Sequence, residues 1–473
     1  MATLEQVLLS VDETLEQSLS RWESFLKIPS VSTDPAYKAD CKTAAQWLVD
    51  TLNELGFDAT MRETPGHPMV VAHYISNDRT NAIGKHVPHI LFYGHYDVQP
   101  PEPLEEWNTP PFEPTRIVGD DGNERMYARG SADDKGQLLT FIEAVRAMIN
   151  ASFTLNVNMS LLFEGEEESG SPSLDAFLAQ NIKELSHDVA LVCDTGMWNE
   201  TTPAITTRLR GMVHDEIIIT GPSIDLHSGL YGGAAINPIR VLTKILGDMH
   251  DANGKVMIDG FYDGVKDLPA DTKSSWDKLN LSHEEFLGGV GLSHPAGETS
   301  YTMLEQIWSR PTADVNGILG GYTGEGTKTV IPSKASAKLS FRLVGEQDPQ
   351  KILDGFRAFV KARLPADCSV EFLSDGGASP ALEVAESNPS LKVAAGALKD
   401  EFGKDPVLMG CGGSIPIVGA FKDVLGMDTI LVGFGLADDA IHSPNEKYDI
   451  NSFHKGIRSW VRILDALGNS DEE

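Results

Sequence analysis

Apolar residues recur at helical spacing over residues 3–27, where Ile28-Pro29-Ser30 ends the pattern, and again over 38–55, where Gly56 closes it. His89 to Tyr93 then reads as a short, fully apolar strand, residues 136–149 as a helix, Leu155 to Phe163 as a strand, 172–185 as a helix, and Val189 to Cys193 as another strand. Continuous apolar strands alternating with helices predict a mostly parallel sheet covered by helices on both faces.

The pattern changes after about residue 206. Val213 to Thr220 and Ala335 to Leu343 alternate apolar with polar positions, as half-exposed strands do. Ile236 to Met249 and Gln350 to Ala362 read as helices, and Ser369 to Leu373 as a further strand. From about 383 the first style returns, with a helix near 389–402, a strand at Thr429 to Gly433 and a final helix over 451–467. The chain is therefore expected to be α/β, with one domain formed by 1–206 and 383–473 and interrupted by an inserted α+β domain over 207–382. The stretch 254–327, rich in Gly, Ser and Asp, gives no clear pattern.

With 473 residues and 41% hydrophobic content, the chain can bury a large core. A formal net charge of −31 argues against nucleic-acid binding and against docking on an anionic membrane. No apolar run of about 18 residues suggests a membrane span. The opening MATLEQVLLSVDETLEQ has early acids and no basic segment leading an apolar one, so no signal peptide is expected. Cys41, Cys193, Cys368 and Cys411 are scattered without CxxC spacing and are read as reduced thiols. A cytoplasmic protein is the expectation.

The chemistry lies at the ends of the apolar strands. His95-Tyr96-Asp97, Asp133-Asp134, Glu166-Glu167-Glu168 and Asp194 follow strand-like runs or open the following helix, and His442 comes after the strand at 429–433. Singly, each has a bland reading: a satisfied polar pair, a helix cap, a solvated acidic face. Together they place imidazole and carboxylate groups where open α/β sheets gather their ligands. Burying so many acids is costly without cations. An oxygen-rich set with two histidines suits two divalent cations sharing a carboxylate, Zn²⁺ first and Mn²⁺ or Co²⁺ as alternatives.

Longer motifs carry a resemblance. Gly94-His95-Tyr96-Asp97-Val98-Gln99-Pro100, Arg129-Gly130-Ser131-Ala132-Asp133-Asp134-Lys135-Gly136 and Glu164 to Ser171 resemble the metal motifs of the M20 metallopeptidases. Asp225 to Gly229, Val330-Ile331-Pro332, Gly412 to Pro416 and His442 to Glu446 complete the set. The resemblance covers nearly the whole chain and is strongest to the branch of cytosolic nonspecific dipeptidase and carnosine dipeptidase. It implies that His95, Asp133 and Asp194 hold one metal, and that Asp133, Glu168 and His442 hold the other, with the Asp133–Asp134 peptide cis. Glu167 would be the general base, and Asp97 would orient His95. His227, from the inserted lid domain of a partner subunit in a homodimer, would stabilise the oxyanion. Thr329, Arg342 and Ser414 would bind substrate, Arg342 through the C-terminal carboxylate.

The activity so implied is hydrolysis of dipeptides or short peptides by a hydroxide held between the two cations. An N-acyl-amino-acid amidohydrolase on the same fold is the alternative, and a non-catalytic metal-dependent binding protein a third. Two departures bear on specificity: Met409-Gly410-Cys411 stands where the branch carries a charged run, and Asp375 stands where it tends to carry His.

Overall fold

The computed structural model describes residues 2–75, 87–373, 378–413 and 415–470. Backbone contacts divide the chain into two compact units: Met1–Thr207 with Val384–Met409 and Pro416–Glu473, and Arg208–Glu383 with Gly410–Ile415.

The first unit is built on a mixed sheet. Its middle strands, Asn158–Glu164, His89–His95, Val189–Val192 and Thr429–Leu431, lie side by side and parallel. Each is apolar along nearly its whole length because helices cover both faces. Antiparallel strands flank them. Met69–Tyr74 pairs with Asn158–Glu164, Asp58–Arg62 pairs outside that, and Ala204–Leu209 pairs with Thr429–Leu431 on the other side. The mostly parallel sheet read from the sequence is thus parallel only in its centre. Of the flanking strands, Asp58–Arg62 and Ala204–Leu209 mix polar with apolar residues, and Met69–Tyr74 has only four apolar residues in a row.

The Lys135–Asn150 helix is buried over nearly its whole length and packs against Ile450–Asn469. Phe141 stacks on Phe92 of the sheet with ring centroids 3.8 Å apart, and Trp460 meets both rings edge-on at 5.5 and 5.6 Å. All three side chains are fully buried. Each such ring contributes roughly 1.5–3 kcal/mol through burial, and truncating Trp460 to alanine would cost about 3–5 kcal/mol.

The run read as one helix over 3–27 is two, Leu4–Glu13 and Leu15–Leu26. They part at Thr14, whose hydroxyl donates to Ser10 O at 2.7 Å beside its own backbone N–H at 3.0 Å. A small antiparallel sheet of Thr115–Val118, Glu124–Tyr127 and Lys447–Asp449 brings the segment after His442 beside the segment before Asp133.

The second unit is an antiparallel sheet in the order Thr312–Gly320, Lys334–Leu343, Gly211–Thr220, Ser369–Phe372. Every second residue of Gly211–Thr220 is buried, so one face packs and the other does not. The helices Pro238–Gly247 and Pro349–Lys361 supply the apolar cover, including Leu242, Ile245, Phe356 and Val360. Each helix starts with proline behind a capping side chain: Asn237 accepts from Ile239 N, and Asp348 from Gln350 N and Lys351 N. Thr312–Gly320 lies inside the stretch that gave no pattern; a register shift between Val315 and Gly317 breaks its alternation. No helix among the described residues is long and apolar enough to cross a membrane.

Candidate metal centre

Parallel pairing sets the ends of the central strands level. His95 lies opposite Glu164, and Tyr93 opposite both Leu162 and Val192. The loops that leave these ends therefore start from one edge of the sheet, and their acids share one space. Asp133 and Asp134 arrive at the same edge from the loop before the Lys135–Asn150 helix.

Two donor groups result, His95–Asp133–Asp194 and Asp133–Glu168–His442, each compact enough to hold one metal ion. They share Asp133. Its Oδ1 lies 3.1 Å from His95 Nε2, and its Oδ2 lies 2.9 Å from His442 Nε2. Asp194 Oδ2 is 4.0 Å from His95 Nε2, and Glu168 Oε2 is 3.2 Å from His442 Nε2. The Asp133–Asp134 peptide is cis, as the motif resemblance implies.

The donor set suits divalent cations. His95 Nε2 is buried without a hydrogen bond of acceptable geometry, although Asp133 Oδ1 is beside it. A lone pair pointing into a group of carboxylate oxygens is what a shared cation satisfies. The shifts of the neighbouring groups point the same way. Burial, helped by the charge of Asp133, pushes the Asp194 carboxyl well above its ordinary value. Burial also pushes Glu167 up to about 7 against the opposing charge of His95, and Glu168 and Asp133 add to the rise. Burial alone would raise Asp133, but the neighbouring imidazoles of His442 and His95 hold it well below the carboxylate range. His442 is raised to about 10 by Asp133 and Glu168.

Around the donors stands a frame of hydrogen bonds. His95 Nδ1 faces Asp97 O at 3.1 Å, which leaves Nε2 for the donor group. The Asp97 carboxylate accepts from the backbone N–H of Glu167 at 3.2 Å and of Glu168 at 3.1 Å. It therefore holds the glutamate turn against the His95 loop. Gln99 donates to Glu168 Oε2 at 2.6 Å, and Asp134 Oδ2 accepts from His95 N at 3.2 Å. Below the turn, Glu164 accepts from Tyr93 and from Ser171; burial pushes its carboxyl up to about 8. Gln99, Asp134 and Glu164 stood inside the quoted motifs but drew no role from sequence, because only their partners reveal one.

His227, Thr329 and Arg342 belong to the second unit. His227 and Thr329 come together in the second unit. The strand Leu226–His227 pairs with Val330–Ile331, and Thr329 O accepts from Ser228 N at 3.1 Å. His227 is exposed, and its Nδ1 accepts from Gly229 N. Arg342 lies on the face of the second unit's sheet that turns away from the core, where it lines a shallow cavity of about 440 Å³ with Met212, His214 and Asn316. Ser414 and Asp375 lie outside the described residues. All four cysteines are free thiols, with Cys41 and Cys193 buried.

Residues 91–466 match the model of Peptidase family M20/M25/M40. The chain is 32% identical to a Cys-Gly metallodipeptidase DUG1 of Candida albicans, over 99% of this chain and 98% of that protein. It is 27% identical to a human Beta-Ala-His dipeptidase, over 98% and 92%. Among solved structures, the di-peptidase Dug1p of Saccharomyces cerevisiae superposes with a TM-score of 0.81 at 30% identity, covering 99% of both chains. Human carnosine dipeptidase 1 superposes with a TM-score of 0.80 at 25% identity, covering 99% of this chain and all 100% of that one.

Proposed function

The chain belongs to peptidase family M20/M25/M40, and from that premise we propose that it is a two-metal dipeptidase acting on dipeptides or short peptides with a free C-terminal carboxylate. The observation that carries the reading is the pair of donor groups joined by the single carboxylate of Asp133. His95, Asp133 and Asp194 would hold one cation, and Asp133, Glu168 and His442 the other. Zn²⁺ matches the mixed nitrogen and oxygen donors, with Mn²⁺ or Co²⁺ as substitutes. Bound there, the cations supply Lewis-acid chemistry, polarising the scissile carbonyl and making hydroxide available at neutral pH.

The protein's own groups do the rest. Glu167 takes the proton of the attacking water on a carboxylate oxygen and delivers it to the leaving amine. Its place in the same turn as Glu168, held by Asp97, keeps it beside the donors without making it one. His227 donates to the developing oxyanion, supplied by the second subunit of a homodimer. Thr329 and Ser414 hydrogen-bond the substrate, and Arg342 holds its C-terminal carboxylate through its two-pronged guanidinium. The relatives, named for Cys-Gly and β-Ala-His dipeptides, favour dipeptides over N-acyl amino acids.

The test is an assay of Ala-containing dipeptides against N-acetyl amino acids, on protein first stripped with a chelator and then given Zn²⁺ or Mn²⁺. Metal-restored cleavage of the dipeptides supports the reading. Turnover of the N-acetyl compounds alone would replace it with a deacylase.

A further inference from the structure

The loop that delivers His442 is held in an unfavourable backbone conformation. Ala440, His442 and Asn445 have φ of 53°, 63° and 64°, so three non-glycine residues within six positions are left-handed. An L side chain disfavours this region, asparagine least and alanine and histidine more. A loop that stores this much strain keeps its shape only if something outside it insists.

Two residues at its downstream end make the attachments. Glu446 is fully buried. Its Oε2 accepts from Arg129 Nη1 at 2.8 Å and Gly130 N at 3.0 Å, and its Oε1 from Ala132 N at 2.9 Å and Asp133 N at 3.1 Å. One carboxylate thus collects four donors from the segment that ends in Asp133. The backbone follows suit, with Ala128 N donating to Glu446 O at 3.2 Å and Lys447 pairing with Tyr127. Asn445 makes a second attachment. Its Oδ1 accepts from Asn108 N at 2.7 Å, and its Nδ2 donates to Glu106 O at 2.8 Å.

We propose that Glu446 and Asn445 are positioning residues that hold the strained 440–445 loop so that His442 meets Asp133 and Glu168. The inference rests on the reading of Asp133–Glu168–His442 as a cation site. Glu446 does so by fixing Asp133 and the His442 loop to each other. Asn445 does so through the backbone of Glu106 and Asn108 and makes no bond to Asp133, so its effect separates from any direct disturbance of the shared ligand. Neither residue touches a reacting atom. His442 is itself exposed, so little packing remains to place it once these bonds are lost.

The experiment is a titration of chelator-stripped protein with Co²⁺ alone, reading occupancy by absorbance and calorimetry, with thermal melting as a check on folding. Wild type is expected to bind two ions per subunit. Asn445→Ala, which keeps the strained φ but removes both side-chain bonds, is expected to weaken one ion by about 10- to 100-fold and to leave the other within about 3-fold. Asn445→Asp keeps the acceptor for Asn108 N and is expected to recover part of the loss. Glu446→Gln sets an amide N–H against N–H donors and is expected to weaken both ions, because both use Asp133. Two ions in wild type with unchanged affinities in Asn445→Ala and Glu446→Gln, whatever their melting temperatures, would overturn this inference and leave the cation-site reading standing. Fewer than two ions in wild type would overturn both.

Discussion

Acid should act on this fold at the end of the sheet opposite the donor groups. Three imidazoles converge there on one hydroxyl. Ser160 Oγ lies 2.8 Å from His73 Nδ1, 2.9 Å from His89 Nε2 and 2.7 Å from His187 Nε2, and the rings of His89 and His187 stack with centroids 3.4 Å apart. A serine hydroxyl offers one proton and two lone pairs, so at most two of the three facing nitrogens can carry hydrogen. Glu184, itself paired with Arg62, lies 3.0 Å from His73 Nε2 and can balance a charge on that ring. Burial, His89 and His73 lower His187 from 6.5 to about 4, against the smaller raising effects of Asp188 and the Ser186 backbone.

A folded value below the unfolded one means that the unfolded chain binds the extra proton first, so stability is present above about pH 6.5 and falls as the pH drops toward 4. At pH 5 those two values correspond to about 2 kcal/mol, and since the ring is partly open to water about half of that, ~1 kcal/mol, is the realistic effect. The assay is urea unfolding of wild type and His187→Gln at pH 7 and pH 5, with other titrating groups cancelling in the double difference. Wild type should lose about 1 kcal/mol more than the variant over that interval. Equal losses, or a greater loss in the variant, would refute the reasoning. So would a His187 NMR titration with a midpoint at or above 6.5.

Other consequences concern the site. Exhaustive chelation should abolish dipeptide cleavage and Zn²⁺ or Mn²⁺ should restore it; cleavage that survives chelation removes the metal chemistry altogether. Glu167→Gln should lower kcat by about 10²- to 10⁴-fold while both ions still bind, as followed by steady-state kinetics and metal analysis. His227→Ala should lower kcat by about 10²- to 10³-fold. Mixing it with Glu167→Gln should recover activity, since a mixed dimer contains one complete site if His227 acts on its neighbour; no recovery after subunit exchange would place His227 elsewhere. At Gly165 an added Cβ would sit 2.3 Å from the ring of fully buried Tyr96, whose hydroxyl donates to Pro68 O. Gly165→Ala should therefore cost about 1–3 kcal/mol in a melting experiment, and a neutral result would mean that the Tyr96 pocket yields.

What could be read in advance follows from how each feature is encoded. Ile90-Leu91-Phe92-Tyr93 and Val189-Ala190-Leu191-Val192 are buried on both sides, so composition alone marks them. Gly211–Thr220 and Lys334–Leu343 bury every second residue and announce themselves by alternation. Asp58–Arg62 and Thr115–Val118 are strands because of what they pair with, not because of an apolar pattern, and were invisible. Thr312–Gly320 was lost for a related reason, its period being interrupted by the bulge at Val315/Gly317.

The site divides along the same line. Candidate cation ligands are His, Asp and Glu, and strand ends are where such residues stand out, so the clusters that contain His95, Asp133, Glu168, Asp194 and His442 were visible by residue type and place, while the choice of Asp133 over Asp134 and of Glu168 among three glutamates came from the motif resemblance. The residues that hold them obey no such restriction. Asp97 works by accepting two backbone N–H groups, Gln99 by donating to a carboxylate, and Glu446 by gathering four donors from a segment more than three hundred positions away. Such bonds depend on backbone direction, which a sequence does not display, and on pairings that exist only after folding. Asn445 is the extreme case. Its residue type would suit any turn, and its left-handed φ is what asparagine tolerates best after glycine. Only the two bonds it makes to Glu106 and Asn108 distinguish a turn residue from one that sets the position of an imidazole.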